Sequence, residues 1–197
     1  MNALLLSGGM DSVSLAYWKK PRFAITIDYG QIAAPGEIAA ASKVASELGI
    51  QHHIVSADCS AVGSGDMAGR ASLKVAPVPE WWPFRNQLLV TLAGARALSL
   101  GVTELLIGTV VSDGRHADAR PDFFSQIDQL MAMQEGGLRV TAPAMAMTAL
   151  ELVRASGIPR SLLAWSHSCH TGAFACGGCR GCVKHFQTMD KLYGDAY

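Results

Sequence analysis

The sequence predicts an α/β fold built on a doubly wound parallel sheet, and three observations predict it. Short apolar runs alternate with alanine-rich stretches of helical period, glycines mark the boundaries between them, and a Gly8-Gly9 pair stands between the first run and the first helical stretch. Residues 3–6 form an apolar run ending at that pair, and residues 12–18 can carry a helix, so the chain opens as strand, glycine turn, helix. Residues 23–27 read as a second buried strand. Residues 37–48 read as a helix that stops at Gly49, a residue suited to the left-handed conformation that ends helices. Residues 51–55 are a third strand. Residues 60–83 turn to Gly, Ser, Ala and Pro without periodicity, which predicts a long loop of the kind that often carries function. Residues 86–100 place Leu89, Leu92, Ala93, Arg96, Ala97 and Leu100 at helical spacing, and residues 104–107 follow as a strand. Pro121 opens a helix whose apolar face carries Phe124, Ile127, Leu130 and Met131. Thr148 and Glu151 form a capping box, and the helix they open ends at Gly157 with Pro159 beyond. In this topology ligands bind at the carboxyl ends of the strands.

Composition narrows the function. The chain has 197 residues, 50% of them hydrophobic, enough for one substantial core, so residues 1–197 read as a single domain. Its 16 basic and 16 acidic residues balance, and no polybasic run suggests a general nucleic-acid binder; a small-molecule substrate fits better. No apolar run approaches the roughly 20 residues that span a bilayer. The first residues lack the basic and apolar regions of a signal peptide, so the expected location is the cytoplasm. Four of the five cysteines crowd between positions 169 and 182, which points to a metal rather than disulfides. The fifth, Cys59, reads as a small core hydrophobe.

The strongest motif is Ser7-Gly8-Gly9-Met10-Asp11-Ser12. Glycines let backbone approach an anion closely, serine hydroxyls donate, and a helix N-terminus adds unpaired N–H groups and a favourable dipole. This is a phosphate cradle without the Gly-Lys-Ser/Thr ending of a Walker loop. Asp11 offers a carboxylate for a hard divalent cation accompanying a bound phosphate. Asp28, about 20 residues after the turn, stands where such folds place an acidic residue near a ribose. Arg85 suits bidentate pairing with a phosphate or carboxylate, and Asn86 suits a helix cap. Asp113, Arg115, His116, Asp118 and Arg120 crowd the loop after the fourth strand and suggest a substrate site. Trp81 and Trp82 offer surfaces for stacking on a purine-like base or for packing at an oligomer interface. No function is assigned to His52 and His53.

Cys169, Cys176, Cys179 and Cys182, with glycines between the last three, can fold around one ion. Four thiolates suit Zn²⁺ in a closed, structural tetrahedron; an iron–sulfur cluster competes, although no proline follows Cys182. The zinc segment spans residues 165–185, where His167 and His170 flank the first cysteine.

The Ser-Gly-Gly-x-Asp-Ser loop resembles that of the N-type ATP pyrophosphatases, the PP-loop enzymes that cleave ATP to AMP and pyrophosphate. Within them the chain is similar to the 7-cyano-7-deazaguanine synthase (QueC-like) family. The resemblance runs through Asp28-Tyr29-Gly30-Gln31, Arg85-Asn86, Gly108, Asp113, Asp118-Ala119-Arg120-Pro121, Pro143, Thr148 with Glu151, and Trp165-Ser166. It implies an adenine nucleotide alpha hydrolase-like fold, structural Zn²⁺, and ATP with Mg²⁺. It also implies a homodimer that acts on 7-carboxy-7-deazaguanine and ammonia. The implied nucleotide residues are Ser7, Gly8, Gly9, Met10, Asp11, Ser12, Asp28, Tyr29 and Gly108. Asp11 and Ser12 would act in catalysis, with Arg85 or Arg120 on the substrate carboxylate. Departures fall on the substrate side: Ala149 replaces a family lysine, Gly114-Arg115-His116-Ala117 replaces a tyrosine-containing stretch, and Val183-Lys184-His185-Phe186 replaces an arginine-rich one. Such drift also suits a paralogue joining a deazaguanine-type acid to another amine or macromolecule, as in the anti-phage systems where related proteins occur. A nucleotide-binding zinc protein without catalysis is the third reading.

Overall fold

The computed structural model describes residues 1–194. Five strands form one parallel sheet in the order β3-β2-β1-β4-β5. They are β1 (Asn2–Leu5), β2 (Phe23–Asp28), β3 (Gln51–Ser56), β4 (Glu104–Ile107) and β5 (Arg139–Thr141). β1 is central because both its faces are apolar, and it pairs with β2 on one side and β4 on the other. Alternation across the pleat sends successive residues to opposite layers. Ala3, Ile25 and Leu105 pack with Val90, Ala93 and Ala97 of α3 (Arg85–Ser99) and with Phe124 and Ile127 of α4 (Pro121–Ala132). Leu4, Ala24 and Leu106 pack on the other face, against α1 (Met10–Lys19) and α2 (Ala34–Leu48). The second layer is completed by α5 (Ala149–Ser156), the one-turn α6 (Arg160–Leu163) and α7 (Arg180–Tyr193), which contribute Val153, Leu163 and Met189.

The expected elements occur with ends shifted by a few residues. α2 begins at Ala34 because Pro35 fits the first turn of a helix. The α5 capping box is reciprocal: the Thr148 N–H donates to Glu151 at 2.7 Å, and the Glu151 N–H donates to Thr148 Oγ1 at 3.2 Å. The strand β5 and helices α6 and α7 were not anticipated from the pattern. β5 is only three residues long and is held by Asp128 of α4, whose carboxylate accepts from the Val140 N–H at 2.7 Å and from Arg139 at 2.9 and 2.6 Å.

Residues 60–83 hold two short 3₁₀ turns, Ser60–Val62 and Asp66–Ala68. The loop is anchored rather than free, because Met67 and Trp82 are buried and Trp82 packs edge-on against Tyr29 with ring centroids 4.9 Å apart. Trp82 is therefore a core residue and has no face left for stacking on a ligand. Cys59 is half-buried against the same core. Among the described residues, no helix is long and apolar enough to cross a membrane.

Candidate active site

The glycine loop leaves the carboxyl end of β1 and enters α1. Gly8 adopts φ +77°, and a Cβ there would lie 2.5 Å from the Glu37 carbonyl oxygen, so the turn admits only glycine. Gly9 is the N-cap of α1 and carries no side-chain cap, which leaves the first helical N–H groups available to an anion. Ser12 donates to the Gly9 carbonyl at 3.0 Å and lies 3.1 Å from the Ser7 hydroxyl. Gly108, just beyond β4, packs on Ser12, where a Cβ would come within 3.0 Å of the Ser12 Cα. The C-terminal segment closes on the same loop: the His167 N–H donates to the Gly8 carbonyl at 2.8 Å.

A cleft of about 600 Å³ opens above this loop, at the strand ends where the topology switches direction about β1. Of the residues singled out from sequence, Ser7, Gly9, Met10, Asp11, Ser12, Tyr29, Arg85 and Gly108 line it, as do Asp113, Arg115, His116, His167 and His170. Gly8, Asp28 and Arg120 do not. Gly8 shapes the loop from behind, Asp28 accepts from the Gly30 N–H at 3.2 Å within its own turn, and the exposed Arg120 donates to the Gly114 carbonyl at 3.1 Å. Asn86 ties α3 to the loop after β4, its N–H donating to Asp118 at 3.1 Å and its amide to the Asp118 carbonyl at 2.8 Å. Phe84 takes φ +54° immediately before Arg85, a conformation that costs a non-glycine residue energy and sets the entry of α3 beside the cleft.

Four cleft residues escaped the sequence reading. Lys184 of α7 donates to Asp11 at 2.9 Å and to Asp113 at 3.2 Å, joining the glycine loop to the loop after β4. Glu80, only 4% exposed, pairs with Arg180 and lies 4.0 Å from His116. Glu37 accepts from Gln31 at 2.7 Å. Lys184 falls in the segment that departs from the resemblance, but nothing local to it points to the cleft.

Burial sets the electrostatics. Desolvation pushes the Asp11 carboxyl above the usual carboxylate range; Lys184 opposes the shift and Asp113 adds to it. Asp11 Oδ1 is buried and has no hydrogen-bond partner among the described residues, so one oxygen of the loop's carboxylate is left to accept from a cation or a donor. Burial also raises Glu37 and Tyr29 and lowers His170 to about 4, leaving that imidazole neutral.

The four sulfurs of Cys169, Cys176, Cys179 and Cys182 all lie within 4.8 Å of one another. Cys176 and Cys182 are 3.9 Å apart, close to the roughly 3.8 Å edge of a tetrahedron with Zn–S bonds of about 2.3 Å. Backbone N–H groups of His170, Cys179 and Cys182 donate to cluster sulfurs at 3.3–3.4 Å, the arrangement that stabilises thiolates. Hydrogen bonds from Thr171 and neighbouring backbone bring Cys176 down to about 5, whereas burial pushes Cys182 up to about 12. A divalent soft cation would supply the charge that deprotonates all four, so the donor set fits zinc. Cys179 is also the N-cap of α7, which fixes Arg180 and Lys184 relative to the cluster.

The chain matches the family described as "Queuosine biosynthesis protein QueC" over residues 2–192. It is 34% identical to the 7-cyano-7-deazaguanine synthase of Desulforudis audaxviator, with 92% of each chain covered. It is 32% identical to that of Anaeromyxobacter sp., with 91% of this chain and 87% of the relative covered. The fold is similar to NMN synthetase from Francisella tularensis, with a TM-score of 0.51 at 14% identity over 98% of this chain and 77% of that one. On the family match and these relatives, the chain belongs to the QueC family.

Proposed function

We propose that this enzyme converts 7-carboxy-7-deazaguanine to 7-cyano-7-deazaguanine, activating the acid and then the amide with ATP. The observation that carries the reading is the glycine-turned N-terminus of α1, open to an anion and flanked by Ser7, Ser12 and Asp11 in one cleft. Relatives named 7-cyano-7-deazaguanine synthase match almost the full chain.

The carboxylate oxygen attacks the α-phosphorus of ATP and pyrophosphate leaves. Ammonia then adds to the carbonyl carbon of the acyl adenylate, and AMP departs with formation of the amide. A second ATP adenylates the amide oxygen; loss of AMP and the nitrogen protons gives the nitrile. A carboxylate oxygen is a poor leaving group, and its transfer to phosphorus is what allows ammonia to displace it. The chain's own contribution is positioning and charge stabilisation. Ser7, Ser12 and the α1 N–H groups hold the phosphates. Lys184 supplies positive charge beside the loop, and Arg85 suits the substrate carboxylate. Mg²⁺ accompanying ATP would neutralise phosphate charge, with Asp11 Oδ1 as its protein oxygen. Zinc on the four cysteines is structural, since four thiolates leave no open coordination position. A homodimer in the cytoplasm completes the proposal.

Incubation of the protein with ATP, Mg²⁺, 7-carboxy-7-deazaguanine and ammonium, followed by mass analysis of base and nucleotide, tests it. The expected products are the nitrile, AMP and pyrophosphate. AMP formation with no amide or nitrile would reject ammonia as the acceptor and favour the conjugating reading, which the substrate-side departures would then explain.

A further inference from the structure

Phosphate binding and carboxylate activation leave Glu80, Arg180 and His170 without a role, although all three line the cleft. Glu80 is the anomaly. A carboxylate 4% exposed is costly to bury unless its oxygens are well partnered. Its contacts all use Oε1: the Arg180 guanidinium, which comes from a position 100 residues away, and His116 Nε2 at 4.0 Å. Oε2 has no hydrogen-bond partner among the described residues, and the Arg180 side chain is itself 43% exposed. On the same lining, the buried His170 Nδ1 likewise has no hydrogen-bond partner among the described residues. An unpartnered carboxylate oxygen and a buried, unpartnered ring nitrogen on one cavity lining suit a ligand carrying complementary donors and acceptors.

We infer that Glu80 and Arg180 form a side-by-side acceptor and donor that read the lactam–amidine edge of a guanine-type heterocycle. That edge presents a ring carbonyl, a ring N–H and an exocyclic amine in a row. A carboxylate accepts two parallel N–H bonds, and a guanidinium beside it donates to the carbonyl. Charge-assisted bonds of this kind are the strong ones, and a site built to bond an amine rejects the analogue that lacks it. The inference rests on the proposed function, because a deazaguanine acid carries this edge on its six-membered ring, with the amine end pointing away from the reacting carboxylate on the five-membered ring. The alternative role for the pair is purely structural: Arg180 pins the loop of residues 60–83 to α7.

Calorimetry separates the two. Zinc-loaded full-length protein, saturated with α,β-methylene ATP, is titrated with 7-carboxy-7-deazaguanine and with its analogue lacking the 2-amino group. The wild type is expected to prefer the amino compound by roughly 10- to 100-fold, the effect of a hydrogen bond to a charged group. Glu80→Gln should cut that preference to about 3-fold or less, because an amide offers a single acceptor oxygen. Arg180→Met should weaken both ligands by about 10-fold and keep their ratio, since the carbonyl is common to both. A wild-type ratio near one overturns the inference even if Glu80→Gln fails to fold. A full preference retained in folded Glu80→Gln overturns it while the function stands. No binding of either compound to the wild type overturns the function and the inference together.

Discussion

Lys184 Nζ lies 2.9 Å from Asp11 Oδ2, closing a contact between residues 173 positions apart. The same ammonium is 3.2 Å from Asp113, so one cation on the C-terminal helix holds the carboxylates of two strand-end loops. The Lys184 side chain is 39% exposed, open enough to meet a nucleotide, while Asp11 is largely enclosed at 17%. That asymmetry makes the lysine the accessible cation of the glycine loop.

Lys184→Met should lower kcat by about 10²- to 10³-fold, as removal of one charge-stabilising donor does. The pH profile should move as well. Burial raises the Asp11 pKa and Lys184 holds it down, so loss of the ammonium raises it further. In its proposed role Asp11 must be ionised to hold Mg²⁺, and activity is expected to fall as pH drops through its pKa. The acid limb of kcat/KM should therefore shift to higher pH in the variant, read from steady-state rates across pH. An unshifted limb removes Asp11 from the ionisation that limits activity.

Cys179→Ser breaks the cluster and changes the cap of α7 together. Zinc content should fall, and the melting temperature should drop by about 5–10 °C, equivalent to a few kcal/mol in a chain of this size. ATP turnover should fall with it, because Arg180 and Lys184 follow the cap directly. Metal analysis, calorimetric melting and AMP release on one preparation check this. A zinc-free protein of unchanged stability would contradict the structural role.

Asp128→Asn tests what holds β5. The Arg139 side chain is 61% exposed, so solvent screens the pair and its contribution at neutral pH is small. Its hydrogen bond from Arg139 lowers the Asp128 pKa in the folded state. The contribution is thus fully present above the unfolded value of about 3.9 and is lost as pH falls through the lower folded value. Denaturant unfolding should show the variant less stable at pH 7, with the gap closing as pH falls through the lowered folded pKa of Asp128.

Elements with punctuation were legible in the sequence. Thr148, Glu151 and Gly157 bracket α5 as their chemistry requires, and the glycine pair marks the turn from β1 into α1. β5 was not, because three residues cannot establish a period and its anchor, Asp128, lies on another element. α7 was hidden by its own cysteines: ligand spacing drew attention from the helical spacing of buried Cys182, His185 and Met189, a signal that could have found it. Trp82 looked like a stacking surface in a loop and is core, since only the packed loop reveals that Tyr29 covers it. Lys184 and Glu80 carry no local signal, as their partners are 173 and 100 positions away.

The most direct test of the central claim is exchange of labelled pyrophosphate into ATP by the wild-type protein with Mg²⁺, in the absence of ammonia. Adenylation of the acid predicts exchange that requires 7-carboxy-7-deazaguanine and disappears in Asp11→Asn. Exchange that proceeds without the acid, or release of ADP and phosphate in place of AMP and pyrophosphate, would contradict it.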